Sequence, residues 1–160
     1  MKINGIVLVN KDRGMSSNSV VNKVKHILQA DKAGHLGTLD VLGEGLLPVT
    51  LGKATKLFDY YLTKNKIYRT IFKFGETTAT LDLEGEITNR DDRVVSPEDI
   101  LKVLPKFVGK QLQMPPLYSA KKINGKKAYE LAREGSTDVA LKPKEIKMYS
   151  INLIKQLEKN

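Results

Sequence analysis

The chain opens on a short apolar run, Ile3 to Val9, that ends at Asn10 and the turn-prone Lys11-Asp12-Arg13-Gly14. This pattern predicts a first strand over Gly5 to Asn10. Ser16, Ser17 and Asn18 follow as N-cap candidates, and Val20, Val21, Val24, Ile27 and Leu28 then recur at helical spacing along one face. His26 falls beside that stripe and reads as a partly exposed helix residue without a role. Gly34 to Gly45 reads as an irregular loop, Leu46 to Gly52 as a renewed apolar segment, and Lys53 to Leu62 as a short helix with Leu57, Tyr60 and Tyr61 free to pack. Lys66 to Phe74 alternates like a strand, with Tyr68, Thr70, Phe72 and Phe74 on one face.

Thr77 to Gly85 is polar and turn-prone, and a short strand is predicted around Glu86-Ile87-Thr88. Ser96-Pro97-Glu98-Asp99 is a helix start, with a capping serine, proline in the first turn and acids facing the positive helix end. Ile100, Leu101, Val103 and Leu104 would form its buried stripe, and Pro105 limits it. Met114 to Lys122 begins rigid and extended and turns basic; Lys126 to Glu134 reads as a helix ended by Gly135, and Glu145 to Ile154 as a last strand. The mixture predicts an α+β (mixed α/β) chain, and the pattern alone leaves its strand order open.

The length of 160 residues suits one domain. No apolar run approaches the roughly 20 residues that span a bilayer, and the N-terminal segment reads as a strand, not a signal peptide. No membrane partner is expected. The chain has no cysteine and only two histidines, His26 and His35, so thiolate and histidine metal centres are not expected. This usage fits a cytoplasmic protein. The net charge of +9, from 27 Lys+Arg against 18 Asp+Glu, favours a polyanionic partner, nucleic acid first.

The candidate chemistry lies in Ala33 to Val49, which sets four glycines, His35 and Asp40 in an apolar stretch. Asp40 lies between Leu39 and Val41, and a carboxylate held in apolar surroundings is costly to ionise. Such a cost is tolerated where the group does chemistry. The glycines suggest tight turns and close approach to another molecule. A phosphate-binding loop is the weaker reading, because no Gly-Lys-Ser/Thr ending follows. Lys121, Lys122, Lys126 and Lys127 form a second, basic cluster.

Several segments in consistent order resemble the bacterial tRNA pseudouridine synthase B family. They are Ile3 to Lys11, Gly14 to Asn18, Gly34 to Val49, Leu51 to Lys56, Lys66 to Arg69, Phe74 to Asp82, Pro115 to Lys122 and Gly125 to Tyr129. The resemblance implies isomerisation of uridine to pseudouridine in the T-arm of tRNA, without metal or cofactor. It makes Asp40 the catalytic nucleophile. Tyr68 matches a tyrosine that stacks on the target base and assists proton transfer. His35 matches a histidine that contacts the RNA near the flipped uridine. Lys11 matches a lysine that supports the active-site loop, and it is counted among the RNA-binding candidates with Tyr118, Lys121, Lys122 and Lys126. An RNA-contacting insertion is expected over about residues 113–140.

Two positions depart from the family pattern: Val41 replaces the proline after the aspartate, and Glu44 brings a second negative charge close by. Family members are roughly twice this length. The resemblance therefore implies a partial catalytic domain over 1–160, with a mixed antiparallel sheet flanked by helices, ending before the C-terminal half. That half carries a Lys-Gly-Thr-Tyr-Ile-Arg-like motif whose arginine pairs with the aspartate. A second chain supplying it is an expected partner beside tRNA, and a non-catalytic RNA-binding remnant is the alternative reading.

Overall fold

The computed structural model describes residues 3–114, 122–123, 126–127 and 143–157. Where the length suggests one domain, contacts divide the chain into two compact units, Met1–Arg69 and Thr70–Asn160.

In the first unit the elements run β1 (Gly5–Lys11), α1 (Ser17–Ile27), β2 (Ala33–His35), β3 (Gly45–Leu51), a 3-10 turn (Gly52–Leu57) and α2 (Phe58–Leu62). The sheet order is β1-β3-β2, and both pairings are antiparallel. Val7 lies opposite Val49 and Val9 opposite Leu47. These residues share one sheet face, because side chains alternate along a strand. That face joins Val20 and Val21 of α1, together with Ala30 and Leu51, in the core. The opposite face carries Ile6, Leu8 and Leu46, which are 40%, 67% and 65% exposed.

Ser16 caps α1 by accepting the Ser19 N–H at 3.1 Å, as its position predicts. The predicted stripe holds for Val20, Val21, Val24 and Leu28. It fails for Ile27, which is 64% exposed. Ile27 is the last helical residue and sits at the margin of a stripe centred on Val21, Val24 and Leu28. Part of the predicted glycine loop is also ordered differently, since Ala33–His35 pairs with β3. Lys53 to Leu62 splits between the 3-10 turn and α2, and its Leu57, Tyr60 and Tyr61 remain exposed.

The expected strand over Lys66 to Phe74 is absent, and this segment has no regular structure. Alternation only makes a segment suitable for a sheet; the strand exists when a neighbour takes up its N–H and C=O groups. Among the described residues none does. The second unit contains β4 (Glu76–Thr78), β5 (Ile87–Arg90), α3 (Pro97–Val103), a 3-10 turn (Leu104–Phe107), β6 (Gly109–Gln113), β7 (Lys122–Ile123), β8 (Lys126–Lys127) and β9 (Lys144–Met148). The pairs β4-β5, β6-β9 and β7-β8 are each two-stranded and antiparallel.

Ser96 and Asp99 form the reciprocal capping box that their spacing predicts. The α3 stripe is only partly covered: Ile100 and Leu104 are half-buried, whereas Leu101 and Val103 are exposed. No described residue of this unit is buried. Lys126 and Lys127 belong to a strand rather than to the start of a helix, and the rest of that predicted helix lies outside the described residues. The last strand is Lys144–Met148, shorter than the predicted Glu145 to Ile154, because β6 pairs with those residues alone. The architecture is mixed α/β, with antiparallel sheets and, among the described residues, three α-helices.

Candidate active site

Asp40 lies in the loop between β2 and β3. Gly37 and Gly45 adopt φ +117° and +119°, a region side chains disfavour, and so set the bends at the two ends of the loop. At its tip, Gly43 N–H donates to Asp40 O at 3.0 Å and closes a turn. Leu39, just before the tip, packs against the core. Asp40 and Val41 are exposed. This corrects the expectation of apolar surroundings: the chain reverses here, and Leu39 turns inward while Asp40 and Val41 stay exposed. Among the described residues, no hydrogen bond or ion pair engages the Asp40 carboxylate, and Glu44 is exposed as well.

The residues beside Asp40 are tied to the segment that enters α1. Ser17 Oγ donates to Leu39 O at 2.8 Å and accepts the Leu39 N–H at 2.9 Å. Gly14 N–H donates to Val41 O at 2.8 Å. In the sequence Ser17 is one of several cap candidates beside Ser16 and Asn18. The readable signal was the Ser16-Ser17 pair, since one hydroxyl suffices to cap and the other is left for a different partner.

Lys11 is 1% exposed. It continues the inward stripe of Val7 and Val9, and its Nζ donates to Met15 O at 2.7 Å and to Asp12 O at 3.0 Å. So placed, it has no surface to offer a phosphate and braces the 12–15 turn instead. His35 ends β2 half-buried, with Nδ1 2.7 Å from Gly37 O. Tyr68 is 72% exposed in the irregular segment. Among the described residues, no hydrogen bond or ring contact joins it to the Asp40 loop. Tyr118 and Lys121 lie outside the described residues; Lys122 lies in β7 and Lys126 in β8.

The carboxyls with shifted acidity lie in the second unit. The Arg93 guanidinium hydrogen-bonded to Asp91 lowers its pKa to about 2. Glu76 is held below its ordinary value by the Lys73 hydrogen bond and, less strongly, by Arg90. Asp99 is lowered by the Ser96 hydroxyl and N–H that donate to it. These are features of turns and a cap. No described group of three or more His, Asp or Glu side chains is arranged to hold a metal ion.

Residues 25–160 match the family described as TruB family pseudouridylate synthase (N terminal domain). The chain belongs to this family. It is 42% identical over 158 residues to the tRNA pseudouridine synthase B of Bartonella henselae, covering 99% of this chain and 49% of that protein. The protein of that name from Clostridium perfringens is 44% identical over 154 residues, 96% of this chain and 52% of its own length. The chain thus spans about half the length of these curated relatives. A chain from a crystal structure of a Cbf5-Nop10-Gar1 complex superposes with a TM-score of 0.49 at 31% identity, over 74% of this chain and 31% of that one.

Proposed function

We propose that this chain carries the carboxylate-bearing half of a synthase that converts uridine to pseudouridine in the T-arm of tRNA, with Asp40 as nucleophile. The observation that carries the reading is the Asp40 loop of a TruB family member: its backbone is tied on both sides while the carboxylate stays exposed. The reaction breaks the bond between ribose and the ring nitrogen and rejoins the same uracil through carbon, so it needs no oxidant or reductant. The carboxylate attacks the sugar or the base, or removes a sugar proton to give a glycal. All three routes require an ionised Asp40 within reach of the nucleotide.

A base inside a folded T-loop must be flipped out and held by stacking. Tyr68, with its ring exposed, is the proposed clamp. His35 is proposed to meet the RNA beside the flipped nucleotide. Lys121, Lys122 and Lys126, with Tyr118, are proposed to contact the T-arm, and the net charge of +9 supports phosphate binding. Lys11 is proposed to support the loop indirectly, through the 12–15 turn that it braces.

The test is tritium release from a T-arm stem-loop carrying 5-tritiated uridine, with the chain and its Asp40→Asn variant side by side. Release by the wild type alone is the expected result. Equal release by both would overturn the assignment. No release with RNA still bound would favour the non-catalytic remnant.

A second reading, that turnover needs a second chain, is favoured by the exposed Ile6, Leu8 and Leu46 beside β1. Among the described residues β1 pairs on one edge only. Exposed apolar strands at a free edge invite pairing. Release that appears only on adding the C-terminal half of a relative would support it, and full release by the chain alone would exclude it.

A further inference from the structure

We infer that Ser17 is a positioning residue for Asp40, an inference that rests on the proposed role of that carboxylate. Ser17 is 4% exposed and stands at the first position of α1. Capping there is already done by Ser16. The Ser17 hydroxyl spends its one proton on Leu39 O and accepts from Leu39 N–H, so both polar groups of one residue close on one side chain. On the other side of Asp40, Gly14 N–H holds Val41 O. Leu39 is thus fixed to the first residue of α1 and Val41 to the turn before it, while the carboxylate takes no part in the tie.

The tie has its own support. Lys11, at the end of β1, holds the carbonyls of Asp12 and Met15, the turn from which Gly14 and Ser17 reach the loop. A continuous path therefore runs from the buried sheet through Lys11 and the turn to the peptides on both sides of Asp40. A displacement of about 1 Å at a reacting group costs on the order of a hundredfold in rate, and an exposed loop keeps such a tolerance only if its backbone is fixed elsewhere.

The test compares the chain with Ser17→Ala and Ser17→Thr. Amide hydrogen exchange is read at Leu39 and at Val49 in the core, beside tritium release and RNA affinity. Ser17→Ala is expected to speed exchange at Leu39 by about tenfold or more, the factor that follows from losing a buried hydrogen bond. Val49 is expected to stay protected. The rate of release should fall by about tenfold to a hundredfold while RNA affinity holds. Ser17→Thr, which keeps the hydroxyl, should restore both readings.

Unchanged exchange at Leu39, equal loss of protection at Val49, or slower release explained by weaker RNA binding would overturn the inference. An Asp40→Asn variant that releases as much as the wild type, each measured with the C-terminal half of a relative added if the chain alone releases none, overturns the role of Asp40 instead. The exchange reading needs no turnover and decides the tie by itself.

Discussion

Lys11 Nζ donates to Met15 O at 2.7 Å from a position that is 1% exposed. A cation that the charge count assigns to a polyanionic partner is instead spent on the chain's own carbonyls. Lys11→Met keeps the length of the side chain and removes the donors, leaving the Asp12 and Met15 carbonyls unpaired. The expected cost is about 1–3 kcal/mol, read from urea unfolding. The salt dependence of RNA binding should not change, whereas each phosphate-contacting lysine that is removed lowers the slope by about one. A lower slope in Lys11→Met would show that Lys11 reaches the RNA.

Leu46 and Leu47 are neighbours with opposite expected effects. Leu47 is 1% exposed and Leu46 is 65% exposed. Leu47→Ala should destabilise the first unit by about 2–5 kcal/mol through lost burial and the cavity left behind. Leu46→Ser should stay within about 0.5 kcal/mol, and it should reduce any self-association through that face. Equal midpoints for the two variants in urea would contradict the core placement of β3.

Tyr68 is 72% exposed and contributes nothing to the core. Under the proposed function, Tyr68→Ala should leave stability unchanged and weaken T-arm binding by about 1–3 kcal/mol, the range for one base stacked on an aromatic ring. Tyr68→Phe should keep the affinity and slow tritium release, because the ring remains while the hydroxyl is lost. Affinity lost equally in both variants would remove the stacking role.

Asp91 supplies a dependence on acid. Its pKa is about 2 in the folded chain against an ordinary 3.8, lowered first by the Arg93 hydrogen bond. A depressed carboxyl stabilises the fold above its unfolded value, and that contribution is lost as pH falls from about 4 to about 2. The group is solvent-accessible, so the effect is small and weakens with salt. Arg93→Gln should move the Asp91 midpoint back toward 3.8 in an NMR titration and flatten the acid limb of the stability curve. A midpoint that stays near 2 would assign the shift to another cause.

Local signals were legible in the sequence. The apolar run of β1, the Ser16 cap of α1 and the Ser96-Asp99 box need only neighbours within a turn or a strand, and all appear where their residues place them. Signals that need a distant partner were not. Lys66 to Phe74 alternates well, yet no described strand takes up its hydrogen bonds. Ile27 has helical spacing, but at the last turn it stays largely exposed among the described residues. The loop of Asp40 was legible by its residue types, but its exposure was not, because apolar neighbours in sequence need not be neighbours in space. Lys11 misled for a related reason: lysine is rarely buried, and only the three-dimensional turn offers it two carbonyls.

The free carboxylate of Asp40 makes its loop a socket whose fitting can be exchanged. The backbone on either side is held by Ser17 and Gly14, so the scaffold does not read the identity of the head group between them. Asp40→Cys, in a chain with no other thiol, gives a single attachment point on that loop for a spin label, a fluorophore or a crosslinker, leaving the framework around it in place.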